Sequence, residues 1–221
     1  MQALTIWATP KPIRSRAAPR FQHGPIFAGC LPDRKRGTML PLPLAIRHAT
    51  LPDLHLRRLR LSDAGAFRAI VTRPEVGRML LAFPADWTLE QAQALIAKTA
   101  PRDVPPFRLA IDAGNGELIG TVGYVQGKTD EIAYFLDPAH QGQGIMRACL
   151  AGFIELIFSH FAPESLRAEV YHDNPASMAL LRRLGFGETG SYLGTCSAQR
   201  AEPERLHVFD LPRAVWHTAQ R

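Results

Sequence analysis

The strongest constraint on this chain is the run Gln141-Gly142-Gln143-Gly144-Ile145-Met146, because of what stands on either side of it. Upstream, residues 132–136 are apolar and aromatic and read as a strand. Downstream, Met146, Cys149, Leu150, Phe153, Ile154, Ile157, Phe158 and Phe161 recur at helical spacing and predict a long amphipathic helix beginning at Ile145. Its opposite face carries Arg147, Glu155, Ser159 and His160, and Pro163 stops it. A strand, a glycine turn and a helix start in that order form a cradle for an anion. Glycine adopts backbone conformations closed to other residues, and the first helical turn adds unpaired N–H groups and the positive end of the helix dipole. A diphosphate suits such a cradle. A short glycine turn alone is common, so the inference depends on the sequence that follows.

Residues 166–171 have strand character, and Asn174-Pro175-Ala176-Ser177 opens a helix running to Leu184. Asn174 reads as its N-cap, Pro175 as its first residue and Gly185 as a left-handed C-terminal cap. Capping alone accounts for Asn174 and Ser177 as well as a ligand role does. Earlier in the chain, residues 40–50 read as a linker, and Leu54, Leu56, Leu59 and Leu61 as a first strand. Ser62 is the expected cap of a helix over 63–72. Thr88 and Gln91 form a capping-box pattern for a helix over 89–98 with Leu89, Ala92 and Leu95 inward. Strands are predicted at 107–111, 118–125 and 132–136, the first two joined through Gly114-Asn115-Gly116. The fold class is α/β (α+β), a mixed sheet flanked by helices.

With 221 residues and 46% apolar content the chain has room for one domain with a proper core. Its net charge of +6 is unevenly placed. Residues 1–38 hold seven of the 26 Lys and Arg and one of the 20 acids, which leaves 19 of each for the remainder. A domain without net charge undercuts a nucleic-acid reading of the fold, whose electrostatic footprint would be a basic patch, so nucleic acid is expected only through the arm. That arm is read as disordered and without an assigned role. An RNA contact, a targeting segment and upstream sequence before a start at Met39 are the alternatives. No apolar run reaches membrane-spanning length and no signal peptide is apparent, so a cytoplasmic location is expected. Cys30, Cys149 and Cys196 are odd in number and widely spaced, and the eight histidines show no ligand spacing, so neither a disulfide framework nor a metal is expected.

The spacing of Gln141, Gly144 and Met146, followed by Asn174-Pro175-Ala176-Ser177 and Leu184-Gly185-Phe186, resembles the GNAT superfamily of N-acetyltransferases, in particular its RimJ/RimL-like branch. The resemblance runs over about residues 50–216 and takes in Arg73-Pro74-Glu75-Val76, Glu131-Ile132-Ala133-Tyr134-Phe135-Leu136 and the last strand before Trp216. It implies a GNAT domain over residues 45–217, with a sheet of six or seven strands, preceded by an arm and linker over 1–44. It also implies acetyl-CoA as donor, no metal, and a primary amine as acceptor, first a protein N-terminus and alternatively a small-molecule amine. Tyr134, Phe135 and Leu136 would line the pantetheine arm, and Gln141, Gly142, Gln143, Gly144, Ile145 and Met146 would wrap the diphosphate. Asn174 would contact the arm near the thiol.

Two departures from the pattern stand out. Met146 replaces a usual Gly or Ala, and Leu181 occupies the place of a tyrosine that protonates the leaving thiolate, a role that would pass to Ser177. Amine attack on a thioester needs a base, a polarised carbonyl and a proton for sulfur. Glu131 is the first choice of base, with Glu169, His172 and a water chain as alternatives; a backbone N–H near Phe135 would polarise the carbonyl. Tyr134 is read as a wall residue. Residues 80–87, with Phe83 and Trp87, are expected at the acceptor site, though both could instead cover the core, and residues 194–204 are expected as its other wall. The substitution at Leu181 keeps a non-catalytic acyl-CoA-binding module as a competing reading. The protein is expected as a monomer or homodimer.

Overall fold

The computed structural model describes residues 39–99, 103–194 and 198–219. Eight strands are present among them: β1 (Leu44–Ala45), β2 (His55–Arg58), β3 (Phe107–Asp112), β4 (Leu118–Val125), β5 (Glu131–Leu136), β6 (Ser165–Tyr171), β7 (Gly187–Leu193) and β8 (Arg205–Pro212). They form one sheet in the order β1-β2-β3-β4-β5-β6-β8-β7. Every pairing is antiparallel except β5 with β6. Six α-helices accompany them: α1 (Ala64–Val71), α2 (Pro74–Gly77), α3 (Leu89–Thr99), α4 (Ile145–His160), α5 (Pro175–Arg183) and α6 (Arg213–Ala219). The basic arm, Cys30 and Cys196 lie outside the described residues.

Strand alternation sends side chains to two cores. The larger lies against α4, α5 and Trp216 of α6, and includes Val122, Ile132, Leu136, Leu166, Ala168, Val170, Phe209 and Leu211 from the sheet. Cys149 is fully buried there, and burial pushes its thiol up to about 12, in keeping with a small apolar core residue. The smaller core lies under α1, α2 and α3. Phe67 is at its centre, with Phe135 at 5.0 Å and Phe83 and Trp87 both at 5.5 Å between ring centroids.

Several local expectations need correcting. The sheet has eight strands rather than six or seven, because part of the expected linker pairs as β1, with Leu44 opposite Leu56. Leu40 is 3% exposed and belongs to the larger core, so the folded part begins before residue 45. The first strand covers only 55–58, and Leu61 is exposed in a 3-10 turn over Leu61–Asp63. The residue preceding α1 is Asp63 and not Ser62; its side chain makes no cap bond to that helix, and its carboxylate instead accepts from the Arg60 N–H at 2.7 Å across the 3-10 turn. Leu89 is exposed, while Ala92 and Leu95 are buried as the spacing requires. The capping box is present: Thr88 N–H donates to Gln91 Oε1 at 2.8 Å, and Gln91 N–H to Thr88 Oγ1 at 3.2 Å.

One buried ionic network holds the first half of the sheet to α1. The Arg57 guanidinium donates to both oxygens of Asp63 at 2.8 and 2.9 Å and to Asp112 Oδ2 at 2.6 Å. All three side chains are almost fully buried. Burial pushes the Asp112 carboxyl up, but Arg57 and the N–H groups of Gly114 and Gly116 outweigh it and hold the group below its ordinary value. Removing one member of such a network leaves uncompensated charge in the core. Arg57→Ala should therefore lower the unfolding free energy by about 3–5 kcal/mol, read from urea denaturation. Because the folded-state value of Asp112 is depressed, its contribution is full above the ordinary carboxylate range and is lost as pH falls through the folded value. Acid should then destabilise the wild type more steeply than Asp112→Asn.

Candidate active site

Strands β5 and β6 meet at a single register pair, Glu131 with Arg167. Beyond it they diverge, while β5 stays fully paired to β4 from Val125–Glu131 to Gly120–Leu136. The β6-facing backbone edge of residues 133–136 therefore borders an open wedge. A ladder hydrogen bond given up there leaves a donor or acceptor free to pair with an extended ligand.

The wedge leads into the glycine loop. A 3-10 turn, Pro138–His140, follows β5, capped by the Asp137 carboxylate accepting from Ala139 N–H. Gly142 and Gly144 both have left-handed backbones, with φ of 74° and 80°. Gly144 is the N-cap of the sixteen-residue α4, and no side chain caps that end. The first-turn N–H groups of α4 are thus left for an anion. Gln141 Nε2 donates to Leu136 O at 3.1 Å and Gln143 Nε2 to Ala139 O at 3.2 Å, which tie the loop back to the strand end. Ile145 and Met146 point into the larger core, so their contribution to the cradle is their backbone.

Across the wedge, the Asn174 side chain caps α5 by accepting from Ser177 N–H at 3.1 Å. That bond orients the first turn, and Ser177 Oγ lies 2.7 Å from the Tyr134 hydroxyl on β5. Burial pushes the Tyr134 phenol up to about 12, only partly offset by the bond to Ser177, so it stays protonated at neutral pH. Leu181, a turn further along α5, is fully buried in the larger core and offers no proton.

At the closed end of the wedge, Glu131, Arg167 and Glu169 lie together. Burial raises the Glu131 carboxyl and the neighbouring Glu169 charge raises it further, against a Thr129 hydroxyl bond at 2.9 Å and Arg167, which pull it down. Arg167 is itself held by Asp210 at 2.9 and 3.0 Å. Tyr192 donates from its hydroxyl to Glu169 Oε2 at 2.6 Å. Of the alternative bases, Glu169 is therefore at the wedge, whereas His172 stands past the end of β6, exposed and bonded to Glu204 at 2.9 Å. Tyr192, 23 residues from its partner, had no local signal to reveal it.

Of the two places expected for Phe83 and Trp87, the acceptor site and a cover over the core, the structure puts both side chains in the small core. They are 5% and 7% exposed and packed on Phe67 and on each other, the two rings at the ends of the Pro84-Ala85-Asp86 turn covering the small core. The segment 80–87 reaches the other wall through its backbone: Gln199 Nε2 donates to Phe83 O at 2.7 Å and to Val71 O at 2.9 Å. Next to it, Arg200 stacks 4.0 Å from the Tyr171 ring centroid and donates to Asp173 at 2.7 Å, and Arg78 is bonded to the same carboxylate. The stretch after β7 is thus strapped across to α2. Residues 195–197 within it lie outside the described residues.

Residues 53–187, well over half of the chain, match the model of the acetyltransferase (GNAT) domain. The chain belongs to the GNAT acetyltransferase family. It is 35% identical over 83 residues to the probable N-acetyltransferase YjcK of Bacillus subtilis, a match covering 35% of this chain and 46% of that protein. To the uncharacterized N-acetyltransferase YoaA of the same organism it is 29% identical over 165 residues, covering 72% of this chain and 92% of YoaA. Mycobacterium smegmatis RimJ, solved with a CoA disulfide, shares the fold with a TM-score of 0.64 at 20% identity, over 73% of this chain and 82% of that one. The GNAT family and architecture read from the sequence agree with these findings, and a RimJ protein is among the structures that share the fold. Among the described residues, no cluster of His, Cys, Asp or Glu could hold a metal ion, and no helix is long and apolar enough to cross a membrane.

The cradle yields a direct test. Valine at position 144 would force a β-branched residue into a left-handed conformation costing about 1–3 kcal/mol. Gly144→Val should weaken CoA binding by roughly tenfold or more in calorimetric titration, with the cooperative thermal transition retained.

Proposed function

We propose that this GNAT enzyme transfers the acetyl group of acetyl-CoA to a primary amine by direct attack in a ternary complex, with a protein N-terminal amine as the first acceptor to test. The observation that carries the reading is the continuity of the wedge with the uncapped start of α4. An extended arm lying along residues 133–136 would have its diphosphate at the N–H groups of 142–146. Asn174, with its Oδ1 engaged by Ser177 N–H, keeps its amide N–H groups for the arm near the thiol.

The residues around the wedge divide the chemistry. Glu131 takes a proton from the ammonium or the attacking amine, directly or through water, and the burial that raises its carboxyl makes it a stronger base than an exposed glutamate. A backbone N–H near Phe135 stabilises the oxygen that gains charge as the amine adds. When the carbon–sulfur bond breaks, Ser177 passes a hydroxyl proton to the departing sulfur and takes one from Tyr134 at 2.7 Å; Tyr134 regains its proton from water as CoA leaves, and Glu131 gives the amine's proton to solvent. This route replaces the tyrosine that Leu181 displaces, and it favours an enzyme over a non-catalytic CoA-binding module.

A second acceptor class is favoured by the paired carboxylates Glu131 and Glu169, which attract a small polycationic amine such as a polyamine. Incubating the protein with acetyl-CoA and separate panels of peptides and polyamines, while following free CoA and product mass, distinguishes the two. Binding of acetyl-CoA without CoA release from either panel would sink the enzymatic reading.

Glu131→Gln should lower kcat by about 10²–10⁴-fold with little change in acetyl-CoA affinity. A raised carboxyl is protonated at higher pH than an ordinary one, so wild-type kcat should fall on the acid side earlier than an unshifted carboxylate would allow. The variant's profile should lack that limb. Ser177→Ala should cost less, about tenfold, if water can reach the sulfur, and this is measured as kcat at saturating donor.

A further inference from the structure

The segment ahead of the family-matched region carries a residue that no sequence pattern singles out. Ile46 is buried against α4 at Gly152, where a Cβ would come within 2.6 Å of Ile46 Cδ1. Its N–H donates to Leu54 O at 2.8 Å, which fixes the segment from the other side. Two residues on, His48 Nε2 lies 2.9 Å from the Gln143 carbonyl oxygen. A carbonyl only accepts, so Nε2 carries the proton, and Nδ1 is left to accept from Thr50 N–H at 3.4 Å.

This bond acts on the part of the loop most able to turn over. Gln143 stands between two left-handed glycines, and the peptide joining it to Gly144 has few steric barriers to flipping. A trans peptide directs its C=O and N–H to opposite sides. Holding the Gln143 carbonyl toward His48 therefore turns the Gly144 N–H away from His48. We propose that His48 is a positioning residue for the diphosphate of the acetyl donor, presetting the 143–144 peptide so that its N–H contributes to the anion cradle. The inference rests on the reading that residues 142–146 receive that diphosphate.

The test compares wild type, His48→Ala and His48→Gln in isothermal titration with CoA and with pantetheine, which lacks the diphosphate. The alanine variant should bind CoA about three- to tenfold more weakly, with pantetheine affinity and thermal midpoint unchanged. Glutamine, which keeps an N–H donor, should recover most of the loss. Wild-type CoA affinity in His48→Ala overturns the role of His48 and leaves the cofactor reading intact, as does an equal loss for both ligands, which marks a merely structural part. A wild-type protein that gives no heat with CoA overturns the diphosphate reading and this inference with it.

Discussion

The lone register pair between Glu131 and Arg167 is the constraint from which the site follows. Were β5 and β6 laddered along their length, the main-chain groups of residues 133–136 would be consumed within the sheet and no extended ligand could borrow them. Instead the crossover through α4 brings β6 alongside β5 at one end only, and α5 and the large core set the opening. The same point gathers Glu131, Glu169 and Arg167, so the floor of the wedge is charged. A free backbone edge at one end and a cluster of charge at the other are two consequences of one departure from regular pairing.

Around this wedge the two halves of the molecule are secured by different means. The first half is pinned by Arg57 with Asp63 and Asp112, a network deep enough that each charge depends on the others. The second half relies on the β6-β8-β7 ladder and on Arg167 with Asp210. The strap from Gln199 and Arg200 to the α1 and α2 region crosses between them. It turns the β7–β8 connection into a wall whose position is tied to the helices opposite.

Much of the architecture was legible in the residues because it is encoded locally. β4 occupies the predicted span, α4 begins at Ile145 as its apolar spacing requires, and Gly185 is left-handed at φ 91° where a C-terminal cap was expected. What escaped notice depends on residues distant in sequence. Arg57 reads locally as a charge interrupting a strand, and only its encounter with Asp112, 55 positions away, makes it a core residue. Phe83 and Trp87 carry no local mark that separates a ligand wall from a core cover. Tyr192 with Glu169 and His48 with Gln143 are likewise products of topology. Leu40 and Leu44 looked like linker because prolines punctuate them, yet a short proline-broken segment can still bury single side chains, Leu40 fully and Leu44 in part.

The wedge has a mechanical corollary. Across most of its length the two half-sheets are joined by the apolar flank of α4 and not by directional main-chain bonds. Dispersion contacts tolerate small rotations that a ladder would resist, because sliding one side chain over another breaks nothing discrete. What limits such rotation is side-chain bonding across the mouth: Ser177 holds the Tyr134 hydroxyl at 2.7 Å, and Gln199 and Arg200 grip the carbonyls of Val71 and Arg78, so the opening is set by a few polar side chains and not by a ladder.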